Sequence, residues 1–229
     1  MSLRLFALAR YCVREPEARH LEGSATEQLD GGPSAYRKTA ILVGVLFLSS
    51  TATFVAGSRL ITSYFSVDRP RSSTLLAGVL LEVYTGLAVA GIGIAMLRIF
   101  SSYNARLARA YLTLRLLECL AIVAVGVAMV VTKREVPNYD ALIYSFTAVG
   151  GIIFAYLLYT AALVPRPLSG LGVIGYVVLL IGVPAALTGV ADLNEGWGTI
   201  FFVPGGLFEL ILPFVLFVKG FSIDPQRLR

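Results

Sequence analysis

The sequence predicts an all-α integral membrane protein, a bundle of six transmembrane helices with both termini cytoplasmic. Three observations carry this: the composition, six apolar runs of spanning length, and the placement of basic residues around them. Of 229 residues, 57% are hydrophobic and 14% charged, with a mean hydropathy of +0.79. A soluble domain carries about 45–50% apolar residues even with glycine counted, and about 25% charged ones. A chain this apolar cannot hide its surface in one soluble core, so a second apolar solvent, lipid, is implied.

Spanning about 30 Å of hydrocarbon takes about 20 apolar helical residues. Six runs meet that length, at 39–60, 75–97, 110–131, 141–164, 168–190 and 200–218. The gaps at 66–71, 101–104, 132–135, 164–167 and 192–196 are short and polar or carry proline. Each ends a helix and lets the backbone return to water. The membrane domain is therefore expected over 37–221, between a polar tail at 1–36 and a short tail at 222–229.

Orientation follows from counting lysine and arginine near the helix ends. One side holds nine: Arg37, Lys38, Arg98, Arg106, Arg109, Arg166, Lys219, Arg227 and Arg229. The other holds five: Arg59, Arg69, Arg71, Lys133 and Arg134. The richer side is cytoplasmic, which puts both termini inside a bacterial inner (plasma) membrane. The net charge of +5 has the same origin, and no nucleic-acid partner is expected.

In the tail, Leu3, Phe6, Ala7 and Tyr11 fall on one face of a helix that would lie on the anionic leaflet; a loose tail is the alternative. The two cysteines, Cys12 and Cys119, offer no disulfide framework and no metal ligand set. The single histidine, His20, excludes histidine-ligated haem within the helices and zinc enzymes of the H-E-x-x-H type. No aspartate-rich diphosphate motif, Walker loop or dinucleotide fingerprint occurs. No metal or other cofactor is expected.

Four ionisable residues lie deep in the runs: Glu82, Arg115, Glu118 and Glu209. Each charge near the bilayer centre costs about 2.5–3.5 kcal/mol, so they should face the bundle interior and find partners. Glu82 lines up with Gly78, Gly86 and Gly93, small residues that admit a neighbouring helix. Tyr111, Arg115 and Glu118 share a face at steps of four and three, as do Gly206, Glu209 and Pro213. At about 1.5 Å of rise per residue the three glutamates reach similar depths, so they should meet near the midplane with Arg115 one turn away. Three carboxylates against one arginine suit either acid–base work or structural ties between helices. Glu82, Glu118 and Glu209 are accordingly the candidate catalytic residues. Arg115, Tyr111, Tyr144 and Tyr159 are candidates for contacting a substrate or partner.

The layout resembles a bacterial family of multi-pass membrane proteins catalogued as domain of unknown function 4386. The resemblance rests on Leu114-Arg115-Leu116-Leu117-Glu118, and on Leu163-Val164-Pro165-Arg166-Pro167-Leu168-Ser169 leading into Leu171-Gly172-Val173-Ile174-Gly175. It also rests on Gly206-Leu207-Phe208-Glu209 with Val218-Lys219-Gly220-Phe221. It covers roughly 38–221 and implies a fold and no activity. Three functions remain: a non-enzymatic membrane protein, an acid–base enzyme on a lipophilic isoprenoid- or lipid-like molecule, and a proton-coupled carrier. The lipid bilayer is the one partner expected in every case, and the oligomeric state is left open.

Overall fold

A computed structural model describes residues 33–67, 71–193 and 196–222. The expected interfacial helix of the tail, with Cys12 and His20, lies outside the described residues, as do Arg69, Asn194, Glu195, Arg227 and Arg229. Met1–Lys38 and Thr39–Arg229 are separate compact units. Of the first, only the opening of a helix from Pro33 is described.

The described residues form helices and turns: α1 (Pro33–Phe65), α2 (Ser72–Thr132), α3 (Tyr139–Thr160), α4 (Arg166–Leu187), a 3-10 helix (Gly196–Phe201) and α5 (Val203–Val218). Four of them, α1 to α4, are long and apolar enough to cross a membrane. Their outward side chains are apolar, with Ile94, Leu120 and Ile181 at least 60% exposed. Such a surface is stable only against lipid or another apolar partner.

Helix α2 has 61 residues and would measure about 90 Å if straight, three hydrocarbon thicknesses. It is not straight. Asn104 leaves helical geometry (φ −153°, ψ 97°), and its Oδ1 accepts hydrogen bonds from the amides of Arg106 (3.2 Å) and Leu107 (3.1 Å). That is an N-cap for a second helical arm. The arms then pack on each other: a Cβ on Gly86 would lie 3.3 Å from Cys119 Cα, and one on Gly126 would meet Val79 at 2.7 Å. Residues at nearly equal distances from Asn104 face one another, so α2 is an antiparallel hairpin. Asn104→Ala should therefore lower stability in detergent by about 0.5–2 kcal/mol, with Asn104→Ser near wild type. Thermal melting of the purified variants checks this, and an unchanged alanine variant would deny the cap its role.

The other turns use equally local chemistry. Lys133 closes α2 in the left-handed conformation (φ 53°), its amide bonded to the Met129 carbonyl at 2.9 Å. Between α3 and α4, Pro165 precedes the helix and Pro167 sits in its first turn, where a missing N–H costs nothing. The amide of Ser222 returns to this turn and donates to Leu163 O at 2.9 Å. The run expected at 200–218 is shortened: residues 196–201 are 3-10 helix, and α5 keeps 16 residues, about 24 Å. Pro204 in its first turn sets that start.

Small residues set how closely the helices approach. Gly57 of α1 lies against Gly78, and Thr53 shares a 2.8 Å hydrogen bond with Thr85. Gly44 receives the ring of Phe217, Gly151 receives the ring of Tyr176, and Gly175 meets the backbone of Gly205. Each pair joins antiparallel neighbours. The glycine row on α2 consequently serves two interfaces, Gly78 facing α1 while Gly86 and Gly93 face the second arm.

Candidate functional site: a polar cavity between the helices

Arg115 and Glu118 lie one turn apart on the second arm of α2, each 3% exposed. Arg115 Nη1 donates to Glu118 Oε2 at 2.5 Å, and the Thr147 hydroxyl of α3 donates to the other oxygen at 2.6 Å. Space for the guanidinium comes from two glycines: the Gly93 Cα faces the Arg115 stem, and Gly150 faces its head. Both carboxylate oxygens of Glu118 are thus occupied, one by a cation and one by a hydroxyl.

Glu209 comes from α5. Its Oε1 accepts a 2.7 Å hydrogen bond from the Tyr176 hydroxyl of α4, and its Oε2 lies 3.5 Å from Thr51 Oγ1 of α1. Among the described residues no basic side chain pairs with it. Glu209, Arg115 and Glu118 all face one cavity of about 100 Å³, walled by α1, both arms of α2, α3, α4 and α5. Phe54, Tyr144 and Phe202 stand together on its wall, Tyr144 edge-on to both phenylalanines with centroids 6.0 and 4.7 Å away.

Beyond Arg115 the interior is closed. Phe47, Phe100, Tyr111, Phe154 and Phe208 are buried and pack ring against ring at 5.4–6.4 Å. Tyr111 belongs to this plug, with the Arg115 guanidinium 5.2 Å from its ring centroid. It supports the arginine and does not line the cavity. At the opposite end, nearer Lys133, a second hollow of about 370 Å³ is lined by Glu135, Asp140, Asp192 and Tyr144, among others.

The structure separates the residues that spacing had grouped. Glu118, Glu209, Arg115 and Tyr144 meet at the cavity. Glu82 does not join them: it is buried and accepts a 3.1 Å hydrogen bond from the hydroxyl of Tyr139 at the start of α3, a residue clustered with Ile61, Val79 and Ile143. Equal depth placed it level with the others, but its side of α2 turns toward a different interface. Tyr159 is 45% exposed on the last turn of α3 and is not among the residues lining the cavity. Thr51, Thr147 and Tyr176 complete the site, yet spacing alone did not single them out as ligands of glutamate. Their one signal was a hydroxyl within an apolar run, which mid-helix threonines also show when they bond their own backbone.

Buried charges tied by hydroxyls inside lipid-facing helices define the class: a helical transmembrane protein with a polar centre. Residues 138–220 match the family model described as Domain of unknown function (DUF4386). The match takes in the proline turn, Leu171 to Gly175, and the closing helix with Glu209. The Arg115–Glu118 motif lies before it, so the resemblance read over 38–221 is found over its second half. No curated protein and no solved structure matches the chain.

Proposed function

We propose that this chain is a six-span, multi-pass protein of the cell membrane, both termini cytoplasmic, whose central cavity binds a small polar solute without chemical conversion. The cavity itself carries the reading: an open space of about 100 Å³ holds Glu209 between all the spans. A purely structural carboxylate would be packed shut. The two arms of α2 supply the second and third spans, and α5 with its 3-10 extension supplies the sixth.

The size argues against an active site for an isoprenoid. Pockets for drug-sized ligands measure about 300–1,000 Å³, whereas this cavity has room for a few waters or a molecule of a few heavy atoms. Packed aromatic rings fill the interior beyond Arg115, which speaks for binding rather than free conduction.

Two cysteine variants test the reading in a Cys12→Ser, Cys119→Ala background. Ala105→Cys, on the exposed turn of the α2 hairpin, should label with a membrane-impermeant maleimide from the cytoplasmic side alone. Gly206→Cys, whose new Cβ would have nothing within 4 Å, should react with small hydrophilic thiol reagents. Labelling of Ala105→Cys from outside would reverse the topology, and an unreactive Gly206→Cys in a folded protein would mean a dry, closed centre.

A further inference from the structure

We infer that the cavity is a site for a small organic cation of the alkylammonium class, admitted from the Lys133 end of the bundle past Tyr144. This rests on the binding reading above and adds the ligand's charge and its route.

The charge follows from counting partners at the cavity wall. Arg115 and Glu118 satisfy each other at 2.5 Å, and Thr147 takes the remaining Glu118 oxygen. Glu209 is the third charged group on the wall, and it accepts from two hydroxyl groups, those of Tyr176 and Thr51. An ionised Glu209 therefore gives the cavity one negative charge in excess. A cation placed there exchanges its water for a carboxylate beside the rings of Phe54, Tyr144 and Phe202. A carboxylate beside aromatic rings is the chemistry that recognises ammonium and quaternary ammonium groups. An anion would meet the same carboxylate at short range and low dielectric, which is repulsive. A hydrated inorganic cation gains less, because aromatic walls replace few of its water ligands.

The route follows from the second hollow. Among the described residues its wall carries the acidic side chains Glu135, Asp140 and Asp192 and no lysine, arginine or histidine. A concave surface of one sign raises the local concentration of oppositely charged solutes. Tyr144 is the one residue lining both this hollow and the central cavity, so its ring is the partition between them. It lies at 2% exposure, shut in this conformation. The far end is filled by the packed rings around Phe100 and Phe154.

Reaction of Gly206→Cys with two thiol reagents of similar size tests the inference. Aminoethyl methanethiosulfonate carries a positive charge and the sulfonatoethyl reagent a negative one. The cationic reagent should react at least about tenfold faster, a ratio typical of electrostatic focusing. Glu209→Gln should bring the ratio close to one. Tetramethylammonium should slow the reaction, and a neutral tert-butyl alcohol at equal concentration should not. Tyr144→Trp should slow entry and Tyr144→Ala should speed it. Should Gly206→Cys fold poorly, Gly205→Cys replaces it, since its Cβ would meet only Gly175 backbone at 3.7 Å.

The outcomes separate the two claims. If neither reagent reacts at either position, the binding cavity itself is refuted. Equal rates for both charges without tetramethylammonium protection would keep the cavity and overturn the cation. A charge preference that ignores every Tyr144 change would overturn the route and point to an opening between helices.

Discussion

Arg115→Met is expected to destabilise the detergent-solubilised protein by about 3–5 kcal/mol, the cost of leaving one member of a buried pair behind. The methionine fills much the same volume between Gly93 and Gly150 but offers Glu118 nothing. Thr147 then satisfies one oxygen, and the other faces the cavity and apolar neighbours. The double replacement Arg115→Met with Glu118→Leu should recover most of the loss, because no charge remains to be compensated. Thermal or denaturant unfolding of the three proteins checks this. A double variant as unstable as the single one would mean that packing, and not the ion pair, makes Arg115 necessary. Glu209 should behave differently, since its charge has no cationic partner among the described residues.

Gly175→Ala should cost about 1–3 kcal/mol, a large effect for one methyl group. Its Cβ would lie 2.6 Å from Gly205 Cα and 2.7 Å from the Pro204 carbonyl carbon. Those are backbone atoms, which cannot rotate away as a side chain would, so α4 and α5 must separate. Tyr176 is the next residue, and its hydroxyl holds Glu209 at 2.7 Å. The same substitution should therefore raise the reactivity of Gly206→Cys while lowering the melting temperature. Gly170→Ala, on the same helix with nothing within 4 Å of the added Cβ, is the control and should be neutral or slightly stabilising. Equal effects at the two positions would refute the argument from close approach.

Much of the architecture was legible because lipid imposes a simple requirement. Every backbone polar group in hydrocarbon must be bonded within its own segment, so a long apolar run declares a helix, and a short polar gap declares a turn. The positions of α1, the two arms of α2, α3 and α4 follow from that. The hairpin turn at Asn104 sits in the gap expected at 101–104. The start of α5 did not, since a proline at 204 can either kink a helix or begin one, and spacing does not distinguish these.

The candidate site was legible in type and only partly in arrangement. Burial of Arg115, Glu118 and Glu82 follows from their cost in lipid, and the i, i+3 step of Arg115 and Glu118 already allows a pair on one helix. Which helix each carboxylate faces is a different kind of fact. A helix in a bundle touches two or three neighbours, and rotations of a few tens of degrees decide among them. Glu82 therefore found Tyr139, at a depth where arithmetic had placed it with Glu118 and Glu209. Tyr159, on the same row of α3 as Tyr144, lies four turns away and outside the cavity.

By itself, then, the sequence determined that the chain is a helical membrane protein, where its apolar helices lie, and that its deep charged residues turn inward. Hydropathy and helix periodicity are local properties, readable from neighbours along the chain. Only the tertiary structure decided that Glu118 is consumed by Arg115 and Thr147, that Glu209 faces open space beside three rings, and that Tyr144 divides two hollows. Those relations join residues on different helices, 29 to 158 positions apart in the pairs Glu118–Thr147 and Thr51–Glu209. They depend on glycine-set distances between helices, and no periodicity within one helix encodes them.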